Sequence, residues 1–545
     1  MTAGRNRLMI RLSKRQFTWL VVLGLGVSGT ALAQDRRTQQ FDVLHYDLAI
    51  TVPDSGQMIT GKAKITLRAL QPFRRLRLDF AGMHPTLVEH NGRPQEFRMR
   101  QDQLEVVLRE RARNGEVIHM TVSYYGKPAD GLMIRQNKYR RRSVFADNWP
   151  NRAHYWFPCV DHPSDKAGVT FRITAPRRFQ VIANGRFVRR TDHLDGRATT
   201  VYEERQPIPT YCMVFGAAEF DIIANPESGR VPIHYWVFPQ DAADAIQEFD
   251  RSDEMLAYFE NRFGPYAYEK LALVQSSTRF GGMENAGAIF FAEQRLGRPG
   301  SIEGTVSHEI AHQWFGDDVT PIDWQHLWLS EGFATYFGMQ FFEYADGADR
   351  FRQRLRESRE RYLSRTEWLS RPIVAELPED LFQLLNPNNY AKGGWVLHML
   401  RDVVGDEAFW KGIRQYVTLY RGRNASTDEF RQVMEMASGQ PLDWFFKQWV
   451  YEGGIPDLRI RYDWKEKDKN LLVKIQQVQS TTPMKLPIEF EIVHRKAVRK
   501  RVWLAEREKT VTFYFNDPPV KMIVDPDVKI LARIQVEQGK ITVKP

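Results

Sequence analysis

The sequence predicts a multidomain α+β protein in the order β, α, β. Three observations carry this. Apolar residues alternate with period two from about 40 to 225, helical spacing replaces that pattern from about 230, and alternation returns after Gly453-Gly454-Ile455-Pro456. The 545 residues, 43 % hydrophobic and 26 % charged, supply several cores and argue against wholesale disorder.

The first 33 residues do not read as fold. Arg5, Arg7, Arg11, Lys14 and Arg15 precede an apolar run from Phe17 to Val27, and Ala31-Leu32-Ala33 forms a cleavage pattern before Gln34. Gly24, Gly26 and Gly29 break the run, which is short for a spanning helix of ~20 apolar residues. The expectation is a signal peptide, cleaved after Ala33, on an exported protein, periplasmic or secreted, with no stable membrane insertion after cleavage. The leader holds five basic and no acidic side chains, so the net charge of +10 falls to +5 without it. That is no signature of nucleic-acid binding. The arginines between Arg352 and Arg365 read as solvated faces. Neither Cys159 nor Cys212 has a partner at metal-binding spacing.

Residues 34–225 read as an antiparallel β domain. Tyr46, Leu48, Ile50 and Val52 alternate, a turn follows at Pro53-Asp54-Ser55-Gly56, and Ala63, Ile65, Leu67 and Ala69 alternate again. Residues 226–453 read as mostly helical, with helices over Glu248–Phe263, Ser301–Phe315, Leu327–Tyr344, Ala391–Val404 and Thr427–Ser438, interrupted by an extended apolar stretch near Leu271–Phe291. Residues 454–545 read as a β-sandwich, with alternation at Leu458, Ile460, Tyr462 and Trp464 and again at Ile488, Phe490 and Ile492.

The chemistry concentrates in the helical region. His308-Glu309-Ile310-Ala311-His312 places two imidazoles at i and i+4, on one face of a helix, where both reach one ion. Ile302, Val306 and Ile310 form an apolar stripe on the other side. A catalytic zinc needs a third protein ligand and an open position. Glu331 is a lone acid in the aromatic and aliphatic stretch Leu327–Ala334, and a buried carboxylate wants a cation. Zinc satisfies it; an Arg or Lys partner is the alternative. Glu309, free of ligand duty, is placed to accept a proton from water.

HEIAHQWFGD followed by WLSEGFATYFG resembles the gluzincin M1 aminopeptidase family. Gly281-Gly282-Met283-Glu284-Asn285 resembles the family's G-x-M-E-N motif, Tyr390-Ala391-Lys392-Gly393 its Tyr-x-Lys-Gly segment, and residues 443–458 its junction between catalytic and C-terminal domains. The resemblance implies a thermolysin-like catalytic domain with one Zn2+ per chain, held by His308, His312 and Glu331. It implies hydrolysis of the N-terminal peptide bond of peptides with a free N-terminus, through a metal-activated water served by Glu309. Tyr390 would donate a hydrogen bond to the forming oxyanion. Gly281 to Asn285 would pair with the peptide as an added strand, Glu284 binding the α-ammonium. An endopeptidase, a non-catalytic peptide-binding scaffold and a zinc hydrolase of another small molecule are the competing readings.

Three departures matter. Gly282 stands where the family often has Ala. Ahead of Pro158-Cys159-Val160-Asp161-His162-Pro163, where many members carry an amine-binding Gln or Glu, stands Trp149, with Asp147 the candidate substitute. Asp317 stands where Asn is usual and is a candidate for orienting a histidine. The chain leaves no room for the long helical domain that follows the sandwich in larger relatives, so a more open cleft is expected.

Overall fold

Alternation sets the first strands in the register it predicts. Phe41–Thr51 pairs antiparallel with Ile59–Ala69, matching Tyr46 to Ile65 and Leu48 to Ala63, and these four side chains are fully buried. The computed structural model describes residues 39–541 except 228, 298, 299 and 301; the expected leader lies outside them. An eight-stranded sheet, a three-stranded sheet and a four-stranded sheet make up the N-terminal region. One pairing departs from the antiparallel expectation. Phe41–Thr51 also pairs parallel with Lys166–Pro176, His45 opposite Gly168. Alternation specifies which face is buried, not which strand lies alongside, and the intervening residues return the chain in the same direction.

The strand Asp221–Ala224, just before the expected boundary at 225, pairs with Ile233–Val237. Leu271–Ser276, Ala288–Ala292 and Gly282–Met283 complete this five-stranded sheet, with Gly282–Met283 at its edge. The apolar stretch in the sequence is therefore this sheet, buried on both faces and so lacking alternation.

The helices of the central region are α1 (Ala242–Glu248), α2 (Ser252–Phe263), α3 (Glu303–His312), α4 (Trp328–Asp346), α5 (Ala348–Leu363), α6 (Thr366–Leu369), α7 (Gly393–Val404), α8 (Asp406–Tyr420), α9 (Thr427–Ser438) and α10 (Asp443–Phe446). α9 begins with a capping box, the Ser426 side chain accepting from the Glu429 N–H and Glu429 returning to the Ser426 N–H. α4 is apolar nearly all round because α3 and α7 cover it.

The C-terminal region is a sandwich of a four-stranded and a three-stranded sheet, with Phe490 and Phe513 ring to ring at 6.2 Å. Its first strand, Asp457–Lys465, pairs antiparallel with Asn470–Gln477 and parallel with Arg533–Gln538. Across residues 39–541 the described regions pack as one compact unit. No helix among the described residues is long and apolar enough to cross a membrane.

Candidate metal centre and substrate cleft

α3 is held by the stripe the sequence shows. Ile302 at its cap, Val306 and Ile310 are buried, as are Trp314 and Phe315 beyond its end. The opposite face presents His308 and His312, with Nε2 atoms 3.0 Å apart. α4 packs so closely that a Cβ at Gly338 would stand 3.2 Å from the His308 backbone. This brings Glu331 Oε2 to 3.3 Å from His308 Nε2 and 3.2 Å from His312 Nε2. Four-coordinate zinc with ligands at ~2.0–2.1 Å separates its donors by about 3.3 Å. Two imidazoles and a carboxylate at these spacings fit that ion. Burial disfavours a charged Glu331, but His312 and His308 outweigh it and hold the carboxyl well below its ordinary range.

His312 Nδ1 lies 2.9 Å from the Phe315 carbonyl, which can only accept, so Nδ1 carries the proton and Nε2 keeps its lone pair for a metal. Ser330 Oγ, 3.0 Å from the same nitrogen, completes the support. Asp317 has a different role from the one expected. It accepts from Gln313 Nε2 at 2.8 Å and Cys212 Sγ at 3.2 Å, while the backbone carbonyl of Phe315 orients His312. Both cysteines are buried thiols outside any disulfide.

The histidines, Glu331, Glu309, Tyr390 and Gly281 to Glu284 all line one cleft of about 930 Å³. His308 is 19 % exposed and His312 1 %, so the cleft reaches the ligand cluster from the His308 side. Glu309 sits against Gly282, where a Cβ would come within 2.2 Å of its Oε1; the absent methyl is the space the carboxyl occupies. Burial raises the Glu309 carboxyl well above its ordinary range, and Glu284, Glu331 and Asp317 add to this against His312.

Gly282–Met283 is an edge strand with one side unpaired within its sheet, a ready partner for an extended peptide. Gln313 Nε2 donates to the Glu284 carbonyl at 2.6 Å, pinning this segment to the C-terminal end of α3. Burial pushes the Glu284 carboxyl up to about 7. Acceptor atoms of Glu284, Glu309 and His312 also lie within 4.8 Å of one another. The metal set is better assigned to His308, His312 and Glu331, which supply two imidazoles and leave both other carboxyls facing substrate. Asn285 does not line the cleft: it is 1 % exposed and its side-chain amide has no hydrogen-bond partner among the described residues.

Tyr390 lies in a π-helical turn, Asn388–Lys392, that widens the start of α7. Its ring stacks near His308, centroids 6.1 Å apart. Burial and a hydrogen bond to Glu331 keep its phenol protonated, well above its ordinary pKa.

Trp149 is 2 % exposed, stands edge-on to Phe280, Trp324 and Phe382, and lines the cleft together with Phe280, the residue just before Gly281. Asp147 does not replace the missing amine binder. Its carboxylate is taken by Arg152 at 2.7 Å and Arg279 at 3.1 Å, and it does not line the cleft. The arginines read as solvated faces divide. Arg359 pairs with buried Asp525 at 2.7 Å, whereas Arg354, Arg361 and Arg365 line the cleft. Their spacing of seven and four residues was visible, but only packing shows what that side of α5 faces.

Comparison with known proteins agrees with this geometry. Residues 247–449 match the family described as "Peptidase family M1 domain", and residues 43–212 match "Peptidase M1 N-terminal domain". Glutamyl aminopeptidase of Sus scrofa is 26 % identical over 506 residues, 86 % of this chain and 53 % of that protein. "Probable aminopeptidase 2" of Sulfurisphaera tokodaii is 29 % identical over 383 residues, 66 % of this chain and 47 % of that one. The chain thus spans about half the length of the curated relatives it matches. A crystal structure of an M1 zinc metallopeptidase from Deinococcus radiodurans superposes with TM-score 0.68 at 29 % identity, covering 76 % of this chain and 94 % of that one. Two matched domains in sequence order, and a donor set that fits the family's zinc, lead to one conclusion: the chain belongs to peptidase family M1.

Proposed function

We propose that this chain is an exported zinc-dependent aminopeptidase that hydrolyses the N-terminal peptide bond of peptides with a free α-amine. One observation carries the reading: a buried carboxyl, Glu284, lines the same cleft as His308, His312, Glu331, Glu309 and Tyr390 and stands outside the three-residue metal set. A buried carboxyl in the cleft wall wants a cation, and the α-ammonium of a peptide is found at its chain terminus and not in its interior. The residues His308, His312 and Glu331 would hold zinc, which when bound supplies Lewis acidity to the scissile carbonyl and to water.

The chain's own groups do the rest. Glu284 takes the α-ammonium and sets the register, so that the bond presented is the one after the first residue. The edge of Gly282–Met283 aligns the peptide backbone. Glu309, with a raised proton affinity, removes a proton from the attacking water and delivers it to the leaving amine. Tyr390, held neutral, donates to the carbonyl oxygen as negative charge grows there.

Aminoacyl 4-nitroanilides and free-amine peptides should be hydrolysed by the zinc-loaded protein, and their N-acetyl counterparts should not. Internal cleavage of an N-acetylated peptide would favour an endopeptidase. Export is supported by the sequence of residues 1–33. N-terminal sequencing of protein from the extracytoplasmic fraction should read from Gln34; a chain still beginning at Met1 in the cytoplasm counts against it.

A further inference from the structure

The cleft has two ends, and α3 gives its axis. Glu284 is pinned to Gln313, at the C-terminal end of α3. Gly304 and Thr305, at the N-terminal end, line the cleft eight or nine residues earlier, about 12 Å away. A peptide with its amine on Glu284 and its scissile bond over His308 and Glu309 therefore directs its leaving portion towards Gly304 and α5. That end is basic. Arg354, Ser358 and Arg361 lie on one face of α5, and Arg365 follows just past its end.

None of the three arginines is taken by an ion pair among the described residues, whereas Arg352 and Arg359 beside them are paired to Asp349 and Asp525. Arg354 is the innermost. Its guanidinium lies over Phe342 at 3.8 Å and approaches to 3.9 Å the point where a Gly304 Cβ would be. Its Nε is buried without a hydrogen-bond partner. The nearby acids Glu303 and Asp346 are held by Arg251 at 2.8 and 3.4 Å. Among the described residues that line this end of the cleft, Glu357 is the single acid, against three cations.

We propose that Arg354, Arg361 and Arg365 form a carboxylate-binding wall on the leaving-group side, making the enzyme selective for peptides that carry a carboxylate in the residues after the scissile bond. The carboxylate comes from an Asp or Glu side chain or from the C-terminus of a short peptide; a guanidinium fork fits either. This rests on the aminopeptidase reading, and the test separates the two.

The first residue is fixed as the one best cleaved from a 4-nitroanilide. Four tripeptides then follow it: X-Ala-Ala-amide, X-Glu-Ala-amide, X-Ala-Glu-amide and X-Ala-Ala with a free C-terminus. At least one acid-bearing substrate should exceed the neutral amide in kcat/KM by about tenfold, mostly through a lower KM. The amide and free-acid arms identify the source. In the Arg361→Gln/Arg365→Gln double variant that ratio should fall towards one, and 0.5 M KCl should lower it in the unaltered enzyme. A ratio near or below one, or a ratio unmoved by both the variant and salt, overturns the wall while leaving the aminopeptidase reading intact. Failure to hydrolyse any of these substrates overturns both.

Discussion

Glu284 and Glu309 are two buried carboxyls of one cleft, both pushed up in pKa and both within 4.8 Å of a His312 ring nitrogen; Glu309 is the one carried on the metal helix itself. Glu309→Gln keeps shape and burial but cannot take a proton. It should retain zinc and lose about 10³-fold in kcat; metal analysis alongside turnover checks this, and activity within tenfold of the parent rejects the role. Tyr390→Phe removes one donor in a buried site and should lower kcat by about 10²-fold or more with a smaller change in KM. At the other end, Trp149 replaces a polar amine binder with an aromatic wall beside Phe280. Asp147 is held by Arg152 and Arg279, so in the proposed function Glu284 would take the amine and the first side chain would meet rings. A screen of aminoacyl anilides should rank Leu, Met or Phe above Glu; preference for Glu would contradict this wall.

Between elements, the crossing of α4 over the start of α7 positions both Glu331 and Tyr390. It is made by two glycines. A Cβ on Gly332 would come within 2.8 Å of Gly393 Cα, a backbone atom that cannot rotate aside. Gly332→Ala should therefore separate the helices, cost about 1–3 kcal/mol by overpacking and weaken zinc binding. Thermal melts with and without zinc test it. α7 also carries His398, whose Nε2 donates to the Val528 carbonyl at 3.0 Å, with Tyr336, Phe351 and Trp395 around its ring. Burial lowers its pKa to about 4, helped by Arg401 and Lys529 and opposed by the Val528 bond and Asp406. The unfolded chain binds this proton near pH 6.5, so the contribution is full above 6.5 and lost as pH falls towards 4. By pH 5.0 the loss is about 2 kcal/mol. The destabilisation caused by His398→Met should shrink by that amount between pH 7.5 and 5.0 in urea titrations, and a gap independent of pH would rule this out.

Across the whole molecule, the N-terminal β region is bound to the catalytic region by polar ties as well as by core. Lys166 is buried, and its ammonium donates to the carbonyls of Asp317 and Asp318, just past the metal helix, at 2.9 and 2.8 Å. Burial lowers its pKa to about 8, opposed mainly by Asp318. Lys166→Met removes two charge-assisted bonds and leaves Asp318 less balanced, so a loss of about 2 kcal/mol is expected as a lower Tm; an unchanged or higher Tm would show the tie to be dispensable. The sequence by itself determined the β, α, β order, because the period of burial is written along the chain, and the pairing of His308 with His312, because i and i+4 on a helix need no distant information. Glu331 was legible as an acid with no local reason to be apolar's neighbour. Other features were decided only in three dimensions. The parallel pairing of Phe41–Thr51 with Lys166–Pro176, the neutralisation of Asp147 by Arg279 and the turning of Arg354 and Arg361 into the cleft join residues with no fixed spacing. Periodicity says that a face is buried or solvated; only packing says against what, and there the charge of each cleft wall is set.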